Sequence, residues 1–318
     1  MYIVTGGAGF IGCWIVSELN KRGIKDILIV DRLRKAGKYR NLIGLEFEDF
    51  IDKTDFLTKI QGDHFSFKVK AVFHMGACSS TTEFNADYLM RNNYQYSKDV
   101  ALWSKSKDAR LIYASSAATY GDGKQGYSDQ SEILGLKPLN PYGYSKYVFD
   151  LWAHKNGFLN EIVGLKFFNV YGPNEAHKGD MRSVVKKAHE QILDKEEVSL
   201  FKSHNEHYKD GDQLRDFIYV KDVIDIILFF LDHPEINGIY NVGTGQARSF
   251  NDLVKATFLA MDKKPNINFI DMPLELRPKY QYFTQADTNK LRGSGYVADF
   301  TSIEAGVADY VKNYLSYT

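Results

Sequence analysis

The chain opens on an alternation of two patterns. Short runs that are apolar at nearly every position are separated by longer stretches in which apolar residues recur every three or four places. "YIVTG", "DILIVD", "AVFHMGA" and "RLIYASS" are runs of the first kind, as expected of strands buried on both faces of a parallel sheet. "FIGCWIVSELNKRG" lies between the first two, with apolar residues at helical spacing and Gly23 as a stop. Strand, glycine turn, helix, strand is a βαβ unit, and its continuation predicts an α/β fold with a doubly wound parallel sheet. "IVGLKFFNV" reads as a further buried strand, and "GIYNVG" as a later return to the same sheet. Beyond residue 172 the texture loosens, with the polar stretch "KSHNEHYKDGDQLRD" and several short elements. The expected organisation is a domain over 1–170, with returns near 216–243 and 280–290. A smaller, interleaved substrate-binding domain is expected over 171–318.

Composition narrows the function classes. The 318 residues are 44% hydrophobic and 25% charged, as in a soluble globular protein. Forty basic and forty acidic residues cancel, which argues against nucleic acid or an anionic membrane as partner. Apolar runs such as "DVIDIILFFL" are too short or too interrupted to span a bilayer. "MYIVTGGAGF" is already a strand running into a turn, so no signal peptide is expected there. Two cysteines, Cys13 and Cys78, suggest no disulfide framework and agree with a cytoplasmic location.

"TGGAGFIG" places Gly6, Gly9 and Gly12 in G-x-x-G-x-x-G spacing. Such a turn lets backbone and a helix N-terminus approach a pyrophosphate. A glycine triplet alone is weak evidence, since a tight turn can bind nothing. Here it follows a strand, opens a helix and precedes Asp31 at the end of the next strand, which is the context of a Rossmann dinucleotide site. Asp31 can accept a hydrogen bond from a ribose hydroxyl, which favours NAD. Arg32, Arg34, Lys35 and Lys38 could instead neutralise a 2′-phosphate, which favours NADP; the alternative is a solvated basic loop. Asp52 and Lys53 are candidates for the adenine side, and the backbone of "HMGA" for a further contact.

"PYGYSK" supplies Tyr142 and Lys146, a Y-x-x-x-K pair that shares one face if the stretch is helical. A phenol of ordinary pKa ~10 is a poor base at neutral pH, and a nearby ammonium favours its phenolate. Tyr144 lacks a lysine four residues later. Ser116 ends "RLIYASS", where its hydroxyl could bond a substrate alcohol or carbonyl. A packed tyrosine on an amphipathic helix is the bland alternative, and the order of glycine turn, strand-end serine and Y-x-x-x-K weighs against it.

These features, with "YASSAATYG" and "RDFIYVKDV", resemble the extended short-chain dehydrogenase/reductase family of the NAD-dependent epimerase/dehydratase type, over nearly the whole chain. "HMGACSSTTE", "NNYQYSK", "FNVYGPNEAHKGDM" and "YFTQAD" resemble its heptose-epimerase branch more specifically. The resemblance implies an NADP-dependent isomerase acting on an ADP-activated heptose in lipopolysaccharide-precursor synthesis, and a homo-oligomer built from pentamers. It implies further cofactor contacts at Phe10, Ile11, Met75, Gly76, Ala77, Cys78, Ser79, Asn92 and Val170. It likewise implies substrate contacts at Asn169, His177, Asp180, Phe201, Lys202, Ser203, His204 and Tyr280.

Inverting an alcohol-bearing carbon with no acidic proton is difficult by direct deprotonation. Transient oxidation, rotation of an exocyclic carbonyl and re-reduction on its other face avoid that step. The oxygen then occupies two positions, and one acid/base group cannot easily reach both. The resemblance gives the second role to Lys178, which it also places at the cofactor; the alternative is that Lys178 only binds phosphate. Arg215 is a candidate for the diphosphate, because guanidinium offers a bidentate fork, unless it forms a salt bridge to Asp216 or Asp222. Phe201 and Tyr280 could pack on the nucleotide. His204 and His207 lack further ligands at metal spacing, so no metal is expected.

A dehydratase of the same fold would need an acidic pair after the strand-end hydroxyl residue, and Ala117 and Ala118 follow Ser116. A ring-carbon epimerase would need Lys178 less. A noncatalytic NADP-binding regulator would not need Ser116, Tyr142 and Lys146 together.

Overall fold

The computed structural model describes every residue except 35–36, 275–276, 278–279 and 316–318. Lys35 therefore lies outside the described residues. The strands are β1 (Tyr2–Thr5), β2 (Ile27–Asp31), β3 (Asp49–Asp52), β4 (Ala71–His74), β5 (Arg110–Ser116), β6 (Val163–Phe167), β7 (Asn169–Tyr171), β8 (Val198–Phe201), β9 (Leu214–Tyr219), β10 (Gly238–Val242), β11 (Ala247–Ser249) and β12 (Ile267–Ile270). Among the described residues, seven form one sheet in the order β10-β6-β5-β4-β1-β2-β3. The pairings of β1 with β2 and β4, β2 with β3, and β4 with β5 are parallel, as is that of β5 with β6. The apolar runs are these strands: β2 and β4 are buried at every position, so both sheet faces are covered. "GIYNVG" joins the sheet as β10.

The chain order reverses between β1 and β4, where the sheet grows outward in both directions. That reversal gathers the C-terminal ends of β1, β2 and β4 at the place where open α/β sheets bind ligands. The helix Phe10–Lys21 follows the glycine turn and buries Phe10, Cys13, Trp14, Ile15, Val16 and Leu19. Gly23, at φ +77°, ends it as expected.

The chain divides into two compact units. The first comprises 1–121, 129–167 and 224–240, the second 122–128, 168–223 and 241–318. In the first, Ile3, Leu28, Val30, Val72 and Leu111 of the sheet pack with Val100, Trp103, Phe149 and Ala153 of its helices. In the second, β9 pairs antiparallel with β11 and parallel with β7, and β8 pairs parallel with β12. Ala188, Ile192, Val198, Leu200, Val254 and Phe258 form a core there. No helix among the described residues is long and apolar enough to cross a membrane.

Candidate active site

The glycine turn has the shape a pyrophosphate cradle requires. Gly6 sits at φ +69°, where a Cβ would lie 2.8 Å from the Gly76 nitrogen. A Cβ on Gly12 would lie 2.1 Å from the Gly6 carbonyl oxygen. The backbone therefore folds tightly on itself ahead of the helix, and the residues fit a dinucleotide phosphate. Phe10, Ile11 and Gly12 form the helix's first turn.

Asp31 ends β2, 7% exposed. Its Oδ2 accepts from the Ala8 amide at 2.9 Å and its Oδ1 from the Arg32 amide at 2.6 Å. Lys38 donates to the same Oδ1 at 2.5 Å. Arg32 donates to Asp52 Oδ2 at 3.2 Å and to Thr54 Oγ1 at 2.5 Å. Two of the expected cations are thus fixed at the ends of β2 and β3, while Arg34 is exposed at φ +42°. Lys53 donates to the Asn92 side chain, and the amide of Asn92 donates to Asn93 Oδ1 at 2.9 Å.

Residues 75–79, after β4, are held by a buried polar relay. Gly76 N donates to Thr5 Oγ1 at 3.0 Å, and Thr5 Oγ1 lies 2.7 Å from His74 Nδ1. His74 Nε2 lies 2.9 Å from Ser97 Oγ, which donates to the Asn93 carbonyl at 2.5 Å. Ser97's only hydroxyl proton is committed, so its oxygen accepts and His74 carries its proton on Nε2. Complete burial and the charge of Lys146 push the His74 pKa down to about 3, so the ring is neutral. Asn93, 0% exposed, accepts from the Cys78 amide at 2.8 Å and donates to the Cys78 carbonyl and Ser145 Oγ, both at 3.0 Å. Ser145 Oγ donates in turn to the Tyr142 carbonyl at 2.7 Å. Met75, Gly76, Ala77 and Cys78 are half-buried and Ser79 is exposed.

Tyr142 and Lys146 lie on the helix Pro141–Lys155, which starts with Pro at its first position and Asn140 capping the Gly143 amide. Both side chains are buried, at 9% and 5% exposure, whereas Tyr144 is 50% exposed. The shared face is as the spacing predicted. Lys146 donates to the Ala114 carbonyl at 2.8 Å, and burial lowers its pKa to about 8 against the opposing pull of Asp150. The electrostatics of Tyr142 differ from expectation. Burial is the largest influence and raises its pKa, while a hydrogen bond with Ser116 lowers it. Without substrate, Tyr142 is a neutral phenol poised to donate, with Ser116 beside it.

A second buried set underlies this one. Asp150, one turn beyond Lys146, accepts from Tyr113 at 2.9 Å, Ser115 at 2.7 Å and Lys166 at 2.6 Å. Tyr113 and Ser115 point to Asp150 from β5, while the carbonyl of Ala114 and the side chain of Ser116 serve Lys146 and Tyr142. Strand alternation divides structural from chemical duties.

In the second unit, Arg215 is 7% exposed on β9. It donates to the Leu214 carbonyl at 2.8 Å and lies over the rings of Tyr280 (5.2 Å) and Phe250 (5.6 Å). Its alternative salt bridges do not form. Asp216 accepts instead from the amides of Thr244, Gly245 and Ala286 and the Thr244 hydroxyl, and Asp222 accepts from Thr301. Burial pulls the Arg215 pKa down, and a buried guanidinium without a carboxylate among the described residues is suited to an anionic ligand. Tyr280 packs on Tyr282 (5.2 Å), and Tyr282 on Tyr208 (5.4 Å). Tyr282 OH accepts from the His204 amide at 3.1 Å, and the Ser203 amide donates to Asp210 at 2.7 Å. Phe201 ends β8, its carbonyl accepting from Gln213 at 3.3 Å. Lys202 lies 3.4 Å from Asp271.

Asn169 is exposed at the start of β7, paired in register with Phe217, and Val170 follows half-buried. His177 and Lys178 are half-buried on the 3₁₀ segment Ala176–Met181, and Asp180 there is exposed. Burial lowers the Lys178 pKa and the charge of Glu175 raises it. Sequence reasoning missed Asn93, Ser145, Asp150, Glu175, Tyr208 and Tyr282. Asn93, Ser145, Glu175 and Tyr282 lie within "NNYQYSK", "PYGYSK", "FNVYGPNEAHKGDM" and "YFTQAD", whereas Asp150 has no local signal and meets its partners only through packing.

The first unit holds a glycine cradle and a serine–tyrosine–lysine set, the parts of a dinucleotide-dependent enzyme of the Rossmann fold, and the second unit holds a buried arginine among aromatics. The chain belongs to the NAD dependent epimerase/dehydratase family, whose model matches residues 2–243; its cofactor is a nicotinamide dinucleotide. It is 53% identical over 317 residues to the ADP-L-glycero-D-manno-heptose-6-epimerase of Nitratidesulfovibrio vulgaris (strain DP4), covering 99% of this chain and 98% of that one. It is 51% identical to the protein of that name from Fusobacterium nucleatum subsp. nucleatum, at 99% and 98% coverage. Among solved structures, the Helicobacter pylori ADP-L-glycero-D-manno-heptose-6-epimerase aligns with a TM-score of 0.83 and 30% identity, covering 98% of this chain and 95% of that one. The Thermus thermophilus UDP-glucose 4-epimerase in complex with NAD aligns at 0.80 and 26% identity, covering 100% and 99%.

Proposed function

We propose that the chain inverts the exocyclic C6 centre of an ADP-activated heptose, from the D-glycero to the L-glycero configuration, with NADP as its cofactor. The observation that carries the reading is near-full-length identity of 53% to a protein of that name, in a chain that keeps Ser116, Tyr142 and Lys146 together. The bound nicotinamide supplies a hydride acceptor and donor. Ser116 and Tyr142 hold the substrate oxygen, and Tyr142 moves its proton. Lys146 keeps positive charge near Tyr142, favouring the phenolate as the proton leaves. After the exocyclic bond rotates, the oxygen is served by Lys178, with Asn169, His177 and Asp180 lining the sugar. Arg215 takes the diphosphate, and Tyr280 and Phe201 pack on the nucleotide with Lys202, Ser203 and His204.

Arg32 and Lys38 take the 2′-phosphate of NADP, beside Asp31 at the ribose. Gly6, Gly9, Phe10, Ile11 and Gly12 hold the pyrophosphate; Lys53, Met75 to Ser79, Asn92 and Val170 complete the cofactor site. The enzyme works in the cytoplasm as a homo-oligomer built from pentamers, supplying a lipopolysaccharide precursor. Incubation of the purified protein with ADP-D-glycero-D-manno-heptose, followed by NMR of the sugar, tests the reading. Appearance of the L-glycero epimer is expected. An unchanged sugar, with NADP bound, would rule the activity out.

A further inference from the structure

The loop that carries His177 and Lys178 is closed on itself by a buried carboxylate. Glu175, 0% exposed, immediately precedes that loop, and Ser183 follows it. Glu175 Oε2 accepts from the Ser183 amide at 2.5 Å, and Oε1 from the Ser183 hydroxyl at 2.5 Å. Tyr310, at the end of the helix Ile303–Tyr310, hydrogen-bonds the same carboxylate. Further bonds tie the loop to the helix Val184–Lys195. Arg182 Nε donates to the Gly179 carbonyl at 2.8 Å, Lys187 to the Asp180 carbonyl at 2.6 Å, and Arg182 also to Glu190 at 2.5 Å.

The helix does not require this arrangement. Ser183 caps it alone, accepting from the Lys186 amide at 3.3 Å. A buried carboxylate is costly unless its oxygens are satisfied, and both oxygens here bond to the residue closing the loop. The Lys178 amide donates to the Glu175 carbonyl at 2.9 Å, so the same residue also fixes the backbone of the lysine.

We propose that Glu175 is a positioning residue for Lys178, pinning the two ends of its loop and keeping a negative charge beside its ammonium. The proposal rests on the reading of Lys178 as the second acid/base group. Burial lowers the Lys178 pKa and the charge of Glu175 opposes that fall; burial raises the Glu175 pKa, and the bonds from Ser183 and Tyr310 and the charge of Lys178 oppose that rise. Other groups that bear on this site include Ser183 and Tyr310, which bond the carboxylate, and Arg182 and Glu190, which act on Tyr310.

Two variants separate geometry from charge. Ser183→Ala removes the hydroxyl half of the clasp, together with the helix cap, and leaves the amide bond and the carboxylate; Glu175→Gln keeps the size and removes the charge. Both are studied as full-length holoprotein, by kcat and KM for ADP-D-glycero-D-manno-heptose across pH and by amide hydrogen exchange over 176–182. Each should lower kcat about ten- to a hundredfold with little change in KM, and exchange in the loop should quicken. In Glu175→Gln alone, the pH limb belonging to Lys178 should move to lower pH, because the charge favouring the ammonium is gone. Lys178→Met is run beside them. If it retains wild-type turnover, the role of Lys178 itself fails. If it is inactive while Glu175→Gln keeps wild-type kcat and exchange, the positioning role is overturned. A quickened loop with an unmoved limb overturns it too, leaving Glu175 a structural clasp. Should Glu175→Gln not fold, wild-type kcat together with unchanged loop exchange in Ser183→Ala, which loses one of the two bonds, decides against the proposal.

Discussion

At the scale of single residues, burial does more than neighbouring charge to set the chemistry. Lys146 is pulled down to about 8 by desolvation, so its ammonium is lost as pH rises through that value. If the ammonium is the working form, kcat should fall above about pH 8, and Lys146→Arg should move that fall upward because guanidinium does not titrate there. His74 gives the opposite window. Its folded pKa of about 3 lies below the unfolded value of ~6.5, so the unfolded chain binds the extra proton between those values. Its contribution to stability is complete above about pH 6.5 and falls by about 1.4 kcal/mol per pH unit below it. Denaturant titrations at pH 7 and pH 5 should therefore differ by more in the native protein than in His74→Gln. Arg32 and Lys38 bear on the choice of cofactor. Lys38 now bonds Asp31, so the double variant Arg32→Ala, Lys38→Ala should weaken NADP while leaving Asp31 free for an NAD ribose. Calorimetric titration with both cofactors checks this, and equal losses would remove the 2′-phosphate assignment.

At the scale of elements, what was legible in the sequence is what local pattern determines. Gly6, Gly9 and Gly12 announce their turn because no side chain fits there, and Tyr142 and Lys146 share a face because helical geometry demands it. The elements that support them were not legible. Asp150 looks like an ordinary helix residue, yet it is 0% exposed and joins β5, β6 and the helix Pro141–Lys155 through three donors. Lys166 looks like a solvated cation within an apolar strand and is 2% exposed. Neither pairing has a local signal, since partners 16 and more residues apart meet only when the sheet forms. Asp150→Ala would leave the Lys166 ammonium buried and unpaired, and should cost about 3–5 kcal/mol of stability. Thermal or urea unfolding checks it. Asp216 carries a similar lesson: beside Arg215 in sequence, it points away and holds the turn at Thr244 and Gly245.

At the scale of the whole molecule, family membership and the serine–tyrosine–lysine set account for a redox-assisted inversion better than for deprotonation. The central claim is that the hydrogen removed from the inverted carbon is the one returned to it. Substrate deuterated at C6 should give an epimerised product that keeps its deuterium, and unlabelled substrate in deuterium oxide should acquire none at that carbon. Mass spectrometry of the product at partial conversion reads both. Retention with no solvent label is the predicted result. Stoichiometric solvent deuterium at C6 would mean that a base removes a proton there, and would contradict the account.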